Sequence, residues 1–417
     1  MRIAVIDHFG NRGGSSRVIA ALLPAIKASQ PDCDLVFFGN KAAIKRENLE
    51  EIFLNHNIQV EYLSNTKIVI LKILSSNLYQ KIRSKFTSKF SKNTFSFIKW
   101  VSIKPPFSLT REIRKRTEDF DLLFFPWPFH LDWIETSVPS VAIFHDFNHK
   151  YYFSGGHTFS QSYRDEADAN IYSWLRNCTP IVSSKFIKQE LLKFYPEIDK
   201  DINVIHLPQL TLKKKISADD VKHTLEKLGV ANPYVLCPTH LVSHKNLGPL
   251  LSAIHYLDTK HIQVSLVLTG AGTETLTGCA NKIGLELSSG KNNVQGLGYV
   301  SSFDIDCLIS GAECVINPSL YEAGNGPGVD AWSFGVPVAM SAIPAFEENI
   351  EVLDVRAQLF DPRSPIDIAT KIEFILSNPQ SIQKDVMYSK AAMERNDWGD
   401  VARKYINVFE STADKHN

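Results

Sequence analysis

Two acids, Glu322 and Asp330, stand eight positions apart in the stretch PSLYEAGNGPGVDAW (318–332), with Gly324, Gly326, Gly328 and Pro327 between them. The run CVINPS (314–319) before them reads as a strand, and a helix is expected to start near Pro327, since proline suits the first turn. Residues 322–328 then form the loop entering that helix. Glycines let backbone amides approach a ligand closely, and a helix N-terminus favours phosphate. Glu322 at the strand end would face a cleft, and Asp330, expected in the helix's first turn, could accept hydrogen bonds from a vicinal diol. The competing reading is plainer: Asp330 complements the helix dipole and Glu322 is a surface acid. A second candidate is Lys245 in CPTHLVSHKNLGPLLSAI (237–254), which precedes another helix and could meet a diphosphate beside its amides, or simply lie solvated at a cap.

These residues need elements to hold them. In the first half, RIAVID (2–7), DLVFFGN (34–40), DLLFFPWP (121–128), SVAIFHD (140–146), TPIVSS (179–184) and NVIHLP (203–208) read as strands. In the second, YVLCPT (234–239), VSLVLTG (264–270), NVQGLG (293–298), CVINPS (314–319), PVAMSA (337–342) and AQLFD (357–361) do. Near-continuous apolar runs suit strands buried on both faces of a parallel sheet, and the helical patterns between them suggest βαβ units. A polar stretch at 209–222 reads as a linker between two doubly wound α/β halves. Ligands of such sheets sit beyond the carboxyl ends of the strands, and two facing halves make a cleft.

The 417 residues allow two or three domains, and 45 basic residues cancel 45 acidic ones, which argues against a general nucleic-acid binder. The six scattered cysteines show no paired spacing and read as reduced, buried thiols of a cytoplasmic protein. The start MRIAVIDHFG reads as no signal peptide, and no run of eighteen apolar residues suggests a membrane span. Residues 63–110 stand apart: they carry no Asp or Glu, and nine basic residues alternate with apolar ones such as Leu71, Leu74, Leu78, Ile82 and Phe86 at helical spacing. Such a segment suits an anionic membrane surface, or equally a lysine-rich helix packed on its own domain.

The ordered series HKN (244–246), LVLTGAG (266–272), VQGLGYV (294–300) and PSLYEAGNGPGVDAWSFGVPVAMS (318–341) resembles glycosyltransferase family 4, retaining enzymes of the GT-B fold that use nucleotide-sugar donors. The resemblance implies two Rossmann-like domains facing a central cleft. An acceptor-binding domain would span 1–212 and a nucleotide-sugar-binding domain 213–395. A C-terminal helix, 396–417, would pack back on the first domain. In the family's pair of acids, Glu322 matches the one that touches the donor sugar. Asp330 falls where the family has a longer acid holding the ribose diol. Gly324, Asn325 and Gly326 match sugar and phosphate contacts, and Lys245 matches the diphosphate lysine. His240 stands where an arginine is usual and would be a conditional cation. Gly298, Tyr299 and Val300 match the loop against the base. In the first half, Gly13 and Gly14 of RGGSS would line the cleft, and His145 matches a histidine facing the donor sugar.

The implied function is metal-independent transfer of a hexose, from GDP-mannose or another nucleotide-diphosphate sugar, to a glycan or lipid-linked glycan, without a cofactor. The form of HKN resembles bacterial surface-polysaccharide mannosyl- and rhamnosyltransferases. Front-face attack, with the leaving phosphate taking the acceptor's proton, is the expected route. A location in the cytoplasm, peripheral on the membrane's inner face, goes with the basic segment 63–110. Three other readings compete: a GT-B sugar-nucleotide epimerase, a non-catalytic sugar-nucleotide-binding subunit, and a membrane-associated scaffold.

Overall fold

A computed structural model describes residues 1–8, 14–64, 107–129, 131–153, 160–208, 215–276 and 294–415. Gly13, His157, Cys279 and most of the basic segment (65–106) lie outside the described residues.

The first half forms a seven-stranded, all-parallel sheet in the order β3-β2-β1-β4-β5-β6-β7. Its strands are β1 (Arg2–Asp7), β2 (Asp34–Asn40), β3 (Gln59–Leu63), β4 (Leu122–Phe125), β5 (Ser140–Phe144), β6 (Thr179–Val182) and β7 (Asn203–Val204). The second half forms a six-stranded parallel sheet in the order β10-β9-β8-β11-β12-β13. These strands are β8 (Tyr234–Pro238), β9 (Ser265–Thr269), β10 (Val294–Gly296), β11 (Cys314–Asn317), β12 (Val338–Ser341) and β13 (Gln358–Phe360). The chain thus has the two doubly wound parallel sheets expected of a GT-B fold.

Alternate residues of one strand feed opposite cores. Ala4 and Ile6 of β1 enter one apolar cluster, while Ile3 and Val5 enter the other. This is why the strand reads as an unbroken apolar run. The strand missed by inspection is β3, QVEYL, an edge strand whose half-exposed face admits polar residues.

Fourteen described helices cover the sheets. Those that matter below are α1 (Gly14–Ser29), α5 (Gln161–Asn177), α6 (Lys185–Phe194), α7 (Ala218–Leu228), α8 (Leu247–Thr259), α10 (Gly326–Phe334), α11 (Pro344–Leu353) and α14 (Trp398–Asp414). The supposed linker at 209–222 is corrected in its second part. Residues 218–222 open α7, where Ser217 and Asp220 form a reciprocal capping box. The last helix, α14, lies on the first sheet, with Tyr405 and Phe409 at ring-centroid distances of 5.8 and 5.0 Å from Phe124 of β4. No described helix is long and apolar enough to cross a membrane. The five described cysteines are buried, free thiols.

The two halves are fastened behind the cleft by a carboxylate. Glu348 of α11 accepts from the backbone N–H groups of Lys185 (2.5 Å) and Phe186 (2.8 Å) at the start of α6, and from His206 Nε2 (2.6 Å). Ser184 takes the third amide, of Ile187. A helix begins with four amides that its own turns cannot satisfy, so the first half borrows part of its cap from the second. We predict that Glu348→Ala lowers unfolding stability by about 1–3 kcal/mol, because amides at the domain seam lose a charged acceptor. Glu348→Gln should lose less. Chemical denaturation checks this, and an unchanged midpoint in the alanine variant would contradict it.

Candidate active site

The site lies at the point where each sheet reverses its winding. In the second sheet the first strand, β8, lies beside β11, and the loops leaving these two strands diverge and open a crevice. Lys245 follows β8 and Glu322 follows β11. In the first sheet the corresponding neighbours are β1 and β4, with α1 after β1 and residues 145–150 after β5.

Lys245 and Glu322 form an ion pair, Nζ to Oε1, with side chains 19% and 15% exposed. Glu322 Oε1 also accepts from Ser319 Oγ at 2.6 Å, and Ser319 Oγ lies 2.7 Å from Asn317 Oδ1. The two loops are bonded to each other around that pair. His244 gives its carbonyl to Leu320 N–H (2.8 Å), and Asn246 Nδ2 donates to the carbonyls of Pro318 (3.0 Å) and Pro362 (2.7 Å). Asn246 sits at φ 54°, in the left-handed region that asparagine tolerates better than most residues, and α8 begins directly after it. So His244 and Asn246 fasten the loop that carries Glu322, while Lys245 between them reaches the acid.

The first half meets this pair with Asp146. Phe147 N–H donates to Tyr321 Oη at 2.9 Å, which ties the residue after Asp146 to the residue before Glu322. Burial pushes the Asp146 carboxyl up to about 6. The Glu322 charge pushes the same way, while the Asn148 N–H and Lys245 oppose. His145 is held by its own half: its Nε2 lies 2.8 Å from the Pro126 carbonyl, and its ring stacks on Trp127 at 5.0 Å. Burial pushes its pKa down to about 4, so the imidazole is neutral. Of the HisAsp pair, the acid is the one that feels the Glu322–Lys245 charges. In the sequence nothing distinguishes Asp146 from His145 beside it; only the fold sets its charge against Glu322 and Lys245.

Other residues take unexpected roles. Asp330 is the fifth residue of α10, past its first turn, and pairs with Arg17 of α1 across the cleft (2.6 and 2.8 Å). Asn325 is 2% exposed and caps α10, its Oδ1 accepting from Gly328 N–H at 3.2 Å. Its side chain therefore faces inward, with its Nδ2 toward Met340 Sδ at 3.0 Å. Val329 N–H donates to the Asn325 carbonyl (2.9 Å) and Pro327 has no N–H, so this helix start offers a phosphate fewer amides than its glycines suggest. Gly326 is the first helical residue, and a methyl at Gly324 would meet nothing within 4 Å. Gly14 opens α1.

His240 is no cation here. Burial and the Lys245 charge lower its pKa, and its Nδ1 lies 3.2 Å from Ala271 N–H, where it accepts. The reason for its setting is Gly270, at φ +112°, where an added Cβ would come 1.8 Å from the Thr239 carbonyl. Across from it, Tyr299 is exposed, its ring 6.0 Å from that of His240. Gly298 N–H donates to Thr273 Oγ1 (3.0 Å), and Val300 is half-buried beside this loop.

Known proteins share this chain's fold and part of its sequence pattern. Residues 223–395 match the family model for glycosyl transferases group 1. An uncharacterized glycosyltransferase of Methanocaldococcus jannaschii is 23% identical over 251 residues, 57% of this chain and 61% of that relative's length. Crystal structures with the same fold include Anabaena HepE in complex with UDP-glucose (TM-score 0.65, 18% identity, covering 99% of this chain and all of that one). They also include a glycosyltransferase from Rickettsia africae (TM-score 0.64, 17% identity, 99% of this chain and 98% of that one). Sucrose-phosphate synthase from Thermosynechococcus elongatus aligns with TM-score 0.65 at 14% identity, over 98% of each chain.

The Asp146 setting has a pH consequence. Its folded pKa lies above the unfolded one, so its contribution to stability is full below about pH 4 and lost as pH rises through about 6. Asp146→Asn should therefore stabilise the ligand-free protein at pH 7.5 by of order 1–3 kcal/mol, the upper end being the full shift. The gain should vanish near pH 4. Thermal melts at both values check this, and equal gains at both would contradict it. Two doubly wound parallel sheets give this chain a GT-B fold, and residues 223–395 of its second half match the model for glycosyl transferases group 1.

Proposed function

We propose that the protein is a glycosyltransferase that moves a sugar from a nucleotide-diphosphate sugar to a glycan or lipid-linked glycan, with retention at the anomeric carbon. The observation that carries this reading is the Lys245–Glu322 pair at the switch point of the second sheet, with Asp146 of the first half within reach of its charges. The Anabaena HepE structures hold UDP or UDP-glucose, which supports a nucleotide-sugar donor for this fold.

In this reading the donor lies along the second half. Lys245 leaves Glu322 for the diphosphate, and Glu322, released, takes hydroxyls of the donor sugar. A fixed positive charge where the diphosphate departs lowers the barrier without reorganisation of water, and a bound metal is not required for that. Asp330 takes the ribose diol, and Tyr299 with Gly298 and Val300 borders the base. Asp146 faces the reacting centre from the first half, where the acceptor enters. The donor is a hexose nucleotide, with GDP-mannose among the candidates, and residues 63–110 would bring the protein to an anionic membrane when the acceptor is lipid-linked.

Glu322→Gln is the cleaner test of the acid, because alanine would leave Lys245 with no partner in a mostly buried place. Nucleoside diphosphate release from UDP-, GDP- and dTDP-hexoses, to water or to added acceptor, should fall by roughly 100-fold or more in this variant. Its melting temperature should fall less than that of Glu322→Ala, since the amide keeps an acceptor for Lys245, and circular dichroism should show the wild-type fold. Release at the wild-type rate would remove Glu322 from the chemistry. Donor binding by the wild type without any release would favour a non-catalytic binding subunit.

A further inference from the structure

Asp330 and Arg17 are 313 residues apart, yet they make a two-toothed pair: Nη1 to Oδ2 at 2.8 Å and Nη2 to Oδ1 at 2.6 Å. Arg17 stands one turn into α1, at the switch point of the first sheet, and Asp330 on α10, at that of the second. The contact is therefore a bridge over the cleft itself. The two ends differ in access. The Asp330 side chain is 8% exposed and that of Arg17 40%. With the guanidinium seated on both its oxygens, Asp330 can serve a ribose diol only after Arg17 moves.

A diphosphate, meanwhile, needs more positive charge than one lysine. His240 accepts a hydrogen bond from Ala271 and is neutral, and Lys245 starts out paired with Glu322. A guanidinium suits phosphate oxygens as well as it suits a carboxylate, since its donors form a rigid fork. The diphosphate is attached to the very ribose that would displace Arg17, so the displaced side chain has phosphate within its swing. Resting on the nucleotide reading above, we propose that Arg17 is a donor-exchanged residue: it closes Asp330 in the empty cleft and transfers to the donor's phosphates when the ribose takes that acid. The exchange replaces one charge pair by another, so the latch costs little to open for a nucleotide diphosphate and stays shut to a nucleoside lacking phosphate.

The test compares a diphosphate with its parent nucleoside on the full chain. Affinities of UDP, GDP and dTDP, and of uridine, guanosine and thymidine, are measured by calorimetry or competition for wild type and Arg17→Ala. For the base that binds wild type best, the diphosphate's advantage over the nucleoside should fall by about tenfold or more in the variant, while the nucleoside itself binds more tightly. Arg17→Lys should restore part of the advantage. Arg17→Gln, which keeps the packed stem, gives the same comparison if the alanine variant does not fold. An undiminished advantage, or a nucleoside that binds no better, overturns the exchange and leaves Arg17 a strut between the halves. A wild type that binds none of the three diphosphates overturns the nucleotide-sugar reading, and the exchange with it.

Discussion

The ion pair between Lys245 and Glu322 is the interaction on which the site's arrangement rests. Two opposite charges, each mostly out of water, are held together by loops from adjacent strands. Removing either charge would strand the other, at a cost of several kcal/mol in a site this enclosed. The surrounding bonds follow from that constraint. Ser319 satisfies Glu322, Asn246 spans the two loops, and Tyr321 carries the tie to the first half. The pair is also chemically unfinished. A diphosphate offers Lys245 a better acceptor, and sugar hydroxyls offer Glu322 neutral donors, so a nucleotide sugar can satisfy both at once.

Among the described residues, three hydrogen-bonded contacts between the halves differ in kind. Glu348 on the start of α6 is a structural seam made with backbone amides. Tyr321 with Phe147 sits at the rim of the site. Arg17 with Asp330 spans the cleft, and it is the one made from two side chains that nucleotide chemistry would separate. If the cleft binds a nucleotide sugar as proposed, a backbone fastening and one that the ligand opens would suit an enzyme that excludes water during transfer and reopens afterward.

Much of this could be read in the sequence. Strands buried on both faces announce themselves as apolar runs, which is why β1, β2, β5 and the second-half strands were found, and why the mixed edge strand β3 was not. Lys245 and Glu322 were legible because charged residues stood at strand exits within fixed local patterns. What could not be read were pairings over long separations: Arg17 with Asp330, or Glu348 with α6. No local pattern marks the partner of a side chain hundreds of residues away. Asn325 misled for a related reason, since a cap and a ligand contact ask for the same residue type, and only its direction separates them.

On the proposed function, Lys245 gives up Glu322 for the diphosphate of a nucleotide sugar. The most direct measurement is a thermal-shift titration of wild type and Lys245→Ala with UDP-, GDP- and dTDP-sugars. Ligand binding raises apparent stability by mass action, so at least one sugar nucleotide should raise the wild-type melting temperature saturably. The variant should need roughly ten- to a hundredfold more ligand for the same shift. If no sugar nucleotide stabilises the wild type, or if the variant responds at the same concentrations, the claim is wrong.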